Sequence, residues 1–396
     1  MKEDDKRTTN ISLKYSDYAR APMYLTQGKT KRYFEKKYLH KSSGNNFTKS
    51  PSIALLGCGY WGKNLARNFN NLGALKLVCD PAQAGREVAK EMVPGVPVSC
   101  DFRDAIQASE IDAMVIASPA ETHFELAAAA LKAGKDVFVE KPMALKVEDG
   151  LQLQSLANEK GRILMVGHLL EYHPAVLRLR DLISAGELGN VNYIYSNRLN
   201  FGKIRTKENA LWSFAPHDIA IILRLLNEMP SKVTCVGESY ITRGLADITV
   251  TNLKFRSGRR AHIFVSWLNP FKEQKLVVVG DKQMAVFNDI EPKNKLVLYN
   301  NRVDFNENQP VLQKNGYEQV QLPEHEPLRN ECEHFLECIS TRREPLTDSA
   351  SGIKVLRILK ACQRSLKQDG KLVTIGPEGL PEIVKTRHQI FSILEH

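Results

Sequence analysis

The sequence predicts an α/β protein with two folded domains, a doubly wound parallel sheet followed by an α+β domain whose large sheet is mostly antiparallel. In the first domain, short apolar runs that end in glycines alternate with helical segments, a pattern typical of parallel strands buried on both faces. In the second, long runs of β-branched and aromatic residues follow one another through short turns, which favours antiparallel pairing. We expect an extension at 1–50, the first domain at 51–170 and the second at 171–396.

Strands and helices are expected to alternate throughout the first domain. Its predicted strands are Ile53–Leu56, Leu75–Cys79, Ile111–Ala117, Asp136–Glu140 and Arg162–Val166. Its predicted helices are Gly62–Leu72, 82–92, Glu121–Ala133 and 146–160. Gly134 and Gly161 follow the last two helices directly, which is where glycine commonly ends a helix.

The second domain is predicted to open with a helix at 174–185 and to continue as a sheet. Its predicted strands are Val191–Phe201, Val233–Tyr240, Ile248–Phe255, Ala261–Leu268 and Leu276–Val279. A turn over Phe255–Arg260 contains Ser-Gly between two of these strands, which favours a hairpin. Helices at 327–341 and 350–367 are expected to complete the fold.

The extension carries most of the positive charge of the chain. Residues 1–50 contain twelve Lys/Arg and five Asp/Glu, which is +7 of the total +10 and leaves +3 for residues 51–396. We interpret the extension as disordered, and the alternative is an arm that contacts a partner subunit or a nucleic acid. Because the folded body is nearly balanced in charge, nucleic acid is not an expected partner.

Cysteine usage and hydropathy indicate a cytoplasmic protein without a membrane span. Seven cysteines are present, an odd number, and no two have C-x-x-C spacing, which is typical of reduced thiols inside the cell. The first residues lack the apolar stretch of a secretory signal. No window contains the ~18 apolar residues that a membrane helix needs.

A glycine fingerprint follows the first predicted strand and opens the first predicted helix. Gly57-Cys-Gly59-Tyr60-Trp61-Gly62 has the G-x-G-x-x-G spacing of a dinucleotide site. Gly57 allows the tight turn, Gly59 lets the backbone approach a pyrophosphate, and Gly62 lets the helix pack against the strand. The pyrophosphate would then lie at the positive end of the helix.

An acidic residue at the end of the second strand completes this pattern. Asp80 lies 23 residues after Gly57, close to the offset of ~20 residues at which a carboxylate binds the ribose hydroxyls. That carboxylate would repel a 2′-phosphate, so the expected cofactor is NAD rather than NADP.

The segment Glu140-Lys141-Pro142 follows a strand at the sheet edge that faces the ligand crevice of a doubly wound fold. A lysine there can contact the nicotinamide ribose and a substrate hydroxyl, and its charge would stabilise a developing alkoxide. Pro142 would fix the turn, and its peptide bond is a candidate for the cis form. The alternative is an ordinary solvated lysine at a strand end.

These motifs together resemble the glucose–fructose oxidoreductase, inositol dehydrogenase and rhizopine-catabolism (Gfo/Idh/MocA) family over about residues 52–367. The matching motifs are Gly57–Gly62, Ala117-Ser118-Pro119 with Thr122-His123, Glu140-Lys-Pro142 and Gly167-His168. The resemblance implies an NAD(P)-dependent oxidation or reduction of a sugar or polyol carbon. It places Tyr60, Trp61, Ser118, Pro119, Glu140 and Lys141 at the cofactor, and it makes Lys141 a catalytic or hydroxyl-positioning residue.

The resemblance also implies a second acid–base residue at the start of a helix in the second domain. Ala215-Pro-His217-Asp218 matches that position ahead of a predicted helix Ile219–Leu226, with His217 as the general base. We interpret Asp218 as a charge that suits the helix N-terminus. The inositol dehydrogenase pattern has an aspartate four residues before the histidine, and Ser213 here argues against that activity.

Two polar segments are expected to line a sugar pocket, with surface or packing roles as the alternative. The candidate substrate residues are His168, Tyr172, Asn197, Arg198, Asn200, Arg205, Asn209 and Trp212. His168, Glu171 and His173 could in principle bind a metal, but three ligands on one turn are weak evidence, and we expect no metal.

The segments around His168 and His217 are similar to a subgroup of nucleotide-sugar 3-dehydrogenases within the family. Such enzymes oxidise C3 of UDP-N-acetylglucosamine or its uronic acid to a 3-keto sugar for lipopolysaccharide and other surface glycans. The alternatives are a dehydrogenase of free sugars or polyols and a non-catalytic NAD-binding regulator that uses its basic arm. The resemblance also implies a dimer or tetramer that pairs through the open face of the second sheet.

Overall fold

The computed structural model of the protein describes residues 50–376. The predicted basic extension lies outside the described residues, apart from its last position. Within the described part, both predicted domains are present as a parallel six-stranded sheet and a nine-stranded, mostly antiparallel sheet. The predicted fold class is therefore confirmed.

The first sheet is parallel throughout and has the strand order β3-β2-β1-β4-β5-β6. Its strands are β1 Ile53–Leu56, β2 Leu75–Cys79, β3 Val98–Ser99, β4 Ala113–Ile116, β5 Asp136–Glu140 and β6 Leu164–Gly167. The order reverses between β1 and β4, so the loops after these two strands diverge and leave a crevice at their carboxyl ends.

The helices of this domain are α1 Gly62–Asn71, α2 Gln83–Met92, α3 Phe102–Gln107, α4 His123–Lys132 and α5 Val147–Lys160. Every residue of β1, β4 and β5 is buried, because the helices cover both faces of the sheet in two separate apolar clusters. The sequence did not indicate β3 or α3, since both are short and partly exposed.

The second sheet has the order β14-β13-β12-β11-β7-β10-β9-β8-β15, and only β7 and β10 pair in parallel. Its strands are β7 Val191–Phe201, β8 Pro230–Glu238, β9 Ile248–Phe255, β10 Arg260–Ser266, β11 Leu268–Gly280, β12 Met284–Asn288, β13 Leu296–Asn306, β14 Gln309–Gln319 and β15 Val373–Thr374. One face of the sheet packs on helices α6 Pro174–Ser184, α7 Ala210–Leu226 and α9 Ser349–Leu366.

Four strands of this sheet, β12, β13, β14 and the two-residue β15, were not predicted. Almost every residue of β14 is exposed, so the strand buries no apolar face and shows no alternation of apolar and polar residues. The β13–β14 hairpin is held mainly by its own ladder of backbone pairs, which leaves no periodic signal in the sequence.

Helix α7 begins at Ala210, nine residues before the predicted start at Ile219. Pro216 lies inside the helix, whereas the sequence placed a boundary there. Asn209 caps the first turn, because its side chain accepts a hydrogen bond from Trp212 N at 3.1 Å. Ala210, Leu211 and Ala215 are fully buried, so tertiary packing stabilises the turns before the proline despite the lost backbone hydrogen bond.

Helix α8, Pro327–Thr341, lies in the region that the sequence assigned to the second domain. It packs into the first domain, where the Phe335 ring lies 5.7 Å from Phe138 and 6.4 Å from Phe69. Beyond its end, Arg342 forms a bidentate ion pair with Asp136 at the start of β5. The chain thus returns to the first domain before α9 joins the second.

None of the helices between residues 50 and 376 is long and apolar enough to cross a membrane.

Candidate active site

The glycine loop between β1 and α1 leaves open space beside its backbone at the crevice. Gly57 has a φ of +92°, and a Cβ there would lie 2.9 Å from Ala117 O. A Cβ on Gly62 would lie 2.0 Å from Gly57 O, whereas one on Gly59 would meet nothing within 4 Å. The outer two glycines therefore permit close backbone packing, and the middle one faces the space that a pyrophosphate needs. The residues fit an NAD cofactor.

Asp80 ends β2 beside this loop and is nearly buried. Its carboxylate accepts hydrogen bonds from Cys58 N at 2.8 Å and from Ala82 N at 2.9 Å. Each oxygen keeps a second lone pair for a ribose hydroxyl. Arg86, which the sequence did not single out, donates to the carbonyl oxygens of Asp80 and Pro81.

Glu140 connects the glycine loop to the turn that carries Lys141. Trp61 Nε1 donates to Glu140 Oε1 at 2.5 Å, and Lys141 N donates to Glu140 Oε2 at 3.2 Å. Burial raises the pKa of Glu140 to about 7, although the hydrogen bond from Trp61 and the charge of Lys141 act in the opposite direction. Glu140 therefore holds the two loops together from inside the crevice.

Lys141 reaches from the first domain to helix α7 of the second. Its Nζ donates to Ser213 O at 2.9 Å, and the Lys141–Pro142 peptide bond is cis, as the sequence suggested. Burial lowers the pKa of Lys141, while Glu208 and Glu140 raise it. At position 213, where the inositol dehydrogenase pattern has an aspartate, Lys141 meets a backbone carbonyl oxygen rather than a carboxylate.

His217 lies one helical turn after Ser213, so its side chain is on the face of α7 that Lys141 contacts. Burial lowers the pKa of His217 well below its usual value, and the charges of Lys141 and Arg198 add to this effect. Within residues 50–376, its Nδ1 is buried without a hydrogen-bond partner. The lowered pKa favours the neutral form of the ring.

His168 adds a second neutral imidazole to the same pocket. Neither ring nitrogen has a hydrogen-bond partner in the described part of the chain. Burial lowers the pKa of His168 to about 3, with smaller contributions from Lys141 and Arg224. Buried polar atoms normally have partners, so the unpartnered nitrogens of His168 and His217 make this crevice a candidate site for a polar ligand.

Arg198 and Asp218 form a buried ion pair in the wall of the pocket. Arg198 Nε donates to Asp218 Oδ2 at 2.9 Å, Arg198 Nη2 donates to Asp218 Oδ1 at 3.0 Å, and Ser196 Oγ donates to the same carboxylate at 2.7 Å. The interpretation of Asp218 as a helix N-terminal charge is wrong, because α7 begins eight residues earlier. The guanidinium of Arg198, predicted to bind substrate, is engaged in this pair.

Three further predicted substrate residues make hydrogen bonds within the protein. The hydroxyl of the buried Tyr172 lies 3.0 Å from Thr347 Oγ1. Asn209 Nδ2 and Trp212 Nε1 both donate to Gln363 Oε1, at 2.9 and 3.0 Å. These bonds attach the start of α7 to α9 and leave the polar atoms of Asn209 and Trp212 engaged within the protein.

The remaining predicted substrate residues lie on β7 or just after it. Asn197 Nδ2 donates to Glu273 Oε1 at 2.8 Å, and Arg205 lies 3.7 Å from Glu208 in a partly exposed ion pair. Asn200 Oδ1 is buried and has no partner among the described residues. Asn200 and Arg205 are therefore the members of this group with the most capacity for a ligand.

A basic segment over residues 202–208, called here the basic strap, crosses from the second domain to the first. Of this segment, only Arg205 was among the predicted site residues. Lys203 Nζ lies 5.8 Å from the centroid of the exposed Tyr60 ring in the glycine loop. Lys207 Nζ lies 3.4 Å from Glu121 Oε1. Basic residues at alternate positions, Lys203, Arg205 and Lys207, were the signal available in the sequence.

Within residues 50–376, no group of three or more His, Cys, Asp and Glu side chains is arranged to hold a metal ion. Glu171 instead pairs with Arg224 at 2.5 Å, and His173 lies 3.5 Å from Asp289.

Comparison with known families agrees with this geometry. Residues 52–168 match the model of an oxidoreductase family with an NAD-binding Rossmann fold, and residues 176–286 match the GFO/IDH/MocA C-terminal domain. The chain belongs to the Gfo/Idh/MocA oxidoreductase family. Its first domain is an NAD-binding Rossmann domain, as the glycines and Asp80 predicted.

Relatives within the family differ in the reactions for which they are named. The chain is 28% identical over 306 residues to a UDP-N-acetylglucosamine 3-dehydrogenase of Acidithiobacillus ferrooxidans, covering 76% of this chain and 93% of that protein. The solved structure of that enzyme superposes with a TM-score of 0.71 at 25% identity, covering 80% of this chain and 97% of that chain. A 2,7-anhydro-N-acetylneuraminate hydratase of Mediterraneibacter gnavus is 27% identical over 252 residues, which span 59% of this chain and only 66% of that protein.

Proposed function

We propose that the protein is a cytoplasmic NAD-dependent dehydrogenase that oxidises C3 of a UDP-N-acetylhexosamine, UDP-N-acetylglucosamine or its uronic acid, to a 3-keto sugar for surface-glycan precursors. The observation that carries the proposal is the contact of Lys141 Nζ with Ser213 O, which brings an amine of the cofactor domain onto the His217 face of α7. The relative named for UDP-N-acetylglucosamine oxidation supports the substrate class, since it aligns over 93% of its own length.

Lys141 and His217 would divide the proton chemistry of the reaction. When bound, NAD supplies the acceptor for the hydride that leaves the sugar carbon. The substrate hydroxyl would donate its proton to His217 while Lys141 stabilises the developing oxyanion, so the C–H and O–H bonds break and a C=O bond forms. The lowered pKa of His217 favours the neutral ring that a general base requires.

The diphosphate of a nucleotide sugar would find cations in the basic strap at the mouth of the crevice. Lys203 and Lys207 reach the first domain at Tyr60 and Glu121, and Arg205 contributes to the electrostatic environment of Lys141. Lysine and arginine are the usual phosphate-binding side chains. A free sugar would gain nothing from these charges, which favours a nucleotide sugar over a free sugar or polyol.

We further propose that copies of the chain pair through the second sheet, on the side that α6, α7 and α9 leave open. Large apolar side chains are exposed on its strands and hairpin, with exposed fractions of 76% for Phe201, 73% for Phe305 and 68% for Leu312. Clusters of exposed apolar side chains commonly mark interfaces between protein chains. Light scattering of the full chain should give the mass of a dimer or tetramer, and F305E/L312E should lower it.

The activity is tested by incubating the purified full-length chain with NAD and a panel of UDP-sugars, free N-acetylglucosamine and inositol. A coupled aminotransferase would trap any 3-ketone as a 3-amino sugar for mass spectrometry. A trapped product from a UDP-sugar supports the proposal, and a product only from a free sugar establishes the alternative.

A non-catalytic regulator that acts through its basic arm would give no product at all. It should bind a partner or DNA with strong salt dependence, and that binding should disappear when residues 1–50 are deleted. Full activity of the deleted chain would eliminate this alternative.

A further inference from the structure

His123, at the start of α4, lies between two loops of the site. Its ring is buried, with 1% of the residue exposed. Nδ1 lies 2.8 Å from Pro142 O, and Nε2 lies 2.9 Å from Ser118 O. The two ring nitrogens thus contact two different loops, and each loop offers a backbone carbonyl that can only accept a hydrogen bond.

The two loops contacted by His123 have different tasks. Ser118 and Pro119 follow β4 at the cofactor crevice, and Pro142 follows Lys141 directly. The Ser118 loop is itself built on the start of α4, because Ser118 Oγ lies 2.7 Å from Thr122 Oγ1, and Thr122 Oγ1 donates to Pro119 O at 2.8 Å. A single ring therefore contacts both the cofactor loop and the turn that follows Lys141.

We propose that His123 is a positioning residue that aligns the cofactor with Lys141 by contacting Ser118 O and Pro142 O at the same time. The proposal rests on the proposed dehydrogenase function but concerns a residue that touches neither reacting group. The pKa of His123 is lowered overall, because burial outweighs the two carbonyl oxygens that raise it. The neutral ring has one N–H, so it donates to one carbonyl oxygen while its other nitrogen packs against the second.

Two amide substitutions separate the two bonds. The amide nitrogen of asparagine occupies nearly the position of Nδ1, so H123N keeps a donor for Pro142 O and loses the one for Ser118 O. The amide nitrogen of glutamine occupies nearly the position of Nε2, so H123Q keeps the Ser118 bond and loses the Pro142 bond. Each variant therefore loosens one loop and leaves the other attached.

The expected results differ between the two variants. H123N should raise the dissociation constant of NADH about 5-fold, the effect of one lost hydrogen bond, with kcat within about 2-fold of the wild type. H123Q should leave NADH affinity within about 2-fold and lower kcat about 10- to 100-fold, since small displacements of a positioned group are costly. Equal changes of both parameters in both variants would overturn the proposal, because a packing role does not distinguish the two loops.

Two measurements need no sugar and so separate this proposal from the proposed function. NADH titration of H123N tests the Ser118 bond directly. The pH dependence of Lys141 labelling by an amine reagent tests the Pro142 bond, and we expect it to shift in H123Q and not in H123N. An unchanged labelling profile in H123Q would contradict the proposal.

If neither variant folds, hydrogen exchange of the wild-type protein with and without NADH still tests the proposal. NADH should protect backbone amides at 118–123 and 140–143 together. Protection confined to 118–123 would overturn the coupling.

Discussion

The cofactor side and the substrate side of the crevice differ in whether their buried polar groups have hydrogen-bond partners. On the cofactor side, Asp80, Glu140 and His123 are each bonded to backbone or side-chain groups of neighbouring loops. On the substrate side, the described part of the chain provides no partner for either nitrogen of His168 or for Nδ1 of His217. The first arrangement connects neighbouring loops, and the second leaves buried nitrogens with unused hydrogen-bonding capacity.

The difference indicates which side of the crevice tolerates a cost in stability. A buried polar group without a partner is destabilising, so the unpartnered imidazoles are candidates for contact with a ligand. Arg198 and Asp218, in the same pocket wall, are paired on both sides. The comparison therefore separates ligand-facing from structural polar residues, and the following variants test that separation.

The largest effect is expected from the unpartnered His217. H217N should lower kcat about 10²- to 10⁴-fold, the usual contribution of a general base, and leave NADH affinity unchanged. Because burial lowers the pKa of His217 well below its usual value, the acid limb of the wild-type kcat/KM profile should lie below pH 6.5. H262N, on a histidine of β10, is the control. An H217N enzyme with wild-type kcat would remove His217 from the mechanism.

Substitution of Arg198, which is paired with Asp218, should mainly lower the stability of the protein. R198M leaves the Asp218 carboxylate buried with only Ser196 as a partner, and should lower the free energy of unfolding by about 3–5 kcal/mol. Replacing both partners, in R198M/D218L, should recover part of that loss, since an apolar pair requires no desolvation of charge. Urea denaturation measures the free energy of unfolding of both variants. Loss of substrate affinity in R198M at wild-type stability would instead place Arg198 among the ligand-binding residues.

Glu171 provides a pH test on a buried group that has a partner. Burial raises its pKa to about 7 despite Arg224, so the folded protein retains a proton that the unfolded chain releases near pH 4.5. The free energy of unfolding should therefore fall as the pH rises from about 4.5 to 7. This group contributes up to ~1.4 kcal/mol per pH unit to that fall. E171Q should flatten that part of the urea-denaturation profile, and the exposed E187Q should not. An unchanged slope in E171Q would contradict the raised pKa.

The smallest effect is expected from the exposed basic strap. K203A and K207A should each raise the KM for a UDP-sugar about 2- to 5-fold, as expected of partly solvated charges, with kcat unchanged. The effect should shrink at high salt because the charges are exposed. K232A, on the distant strand β8, is the control. Equal effects on a free sugar would show that the strap does not recognise phosphate.

The sequence predicted the cofactor half well because its signals are local. Gly57, Gly59, Gly62 and Asp80 have fixed spacings around one strand, one turn and one helix, and Lys141 follows a recognisable strand end. The substrate half depends on contacts between distant segments. Arg198 on β7 meets Asp218 on α7 only after the sheet and helix have packed.

Two elements show why the remaining structure was harder to predict. Pro216 has the local character of a helix boundary, and only the burial of Ala210, Leu211 and Ala215 by neighbouring elements extends α7 through it. Strand β14 is exposed along nearly its whole length, so no pattern of burial marks it in the sequence. In both cases the deciding interactions are absent from the local sequence.

Deuterium labelling can follow the proposed transfer of hydride from C3 of a UDP-sugar to NAD, in which Lys141 takes part. UDP-N-acetylglucosamine and its uronic acid, each carrying deuterium at C3, would be incubated with NAD and the wild type, K141M or the exposed control K146M. We expect NADH that carries one deuterium from the wild type and K146M, and a loss of about 10²- to 10³-fold in K141M. NADH without deuterium, or undiminished turnover by K141M, would contradict the account.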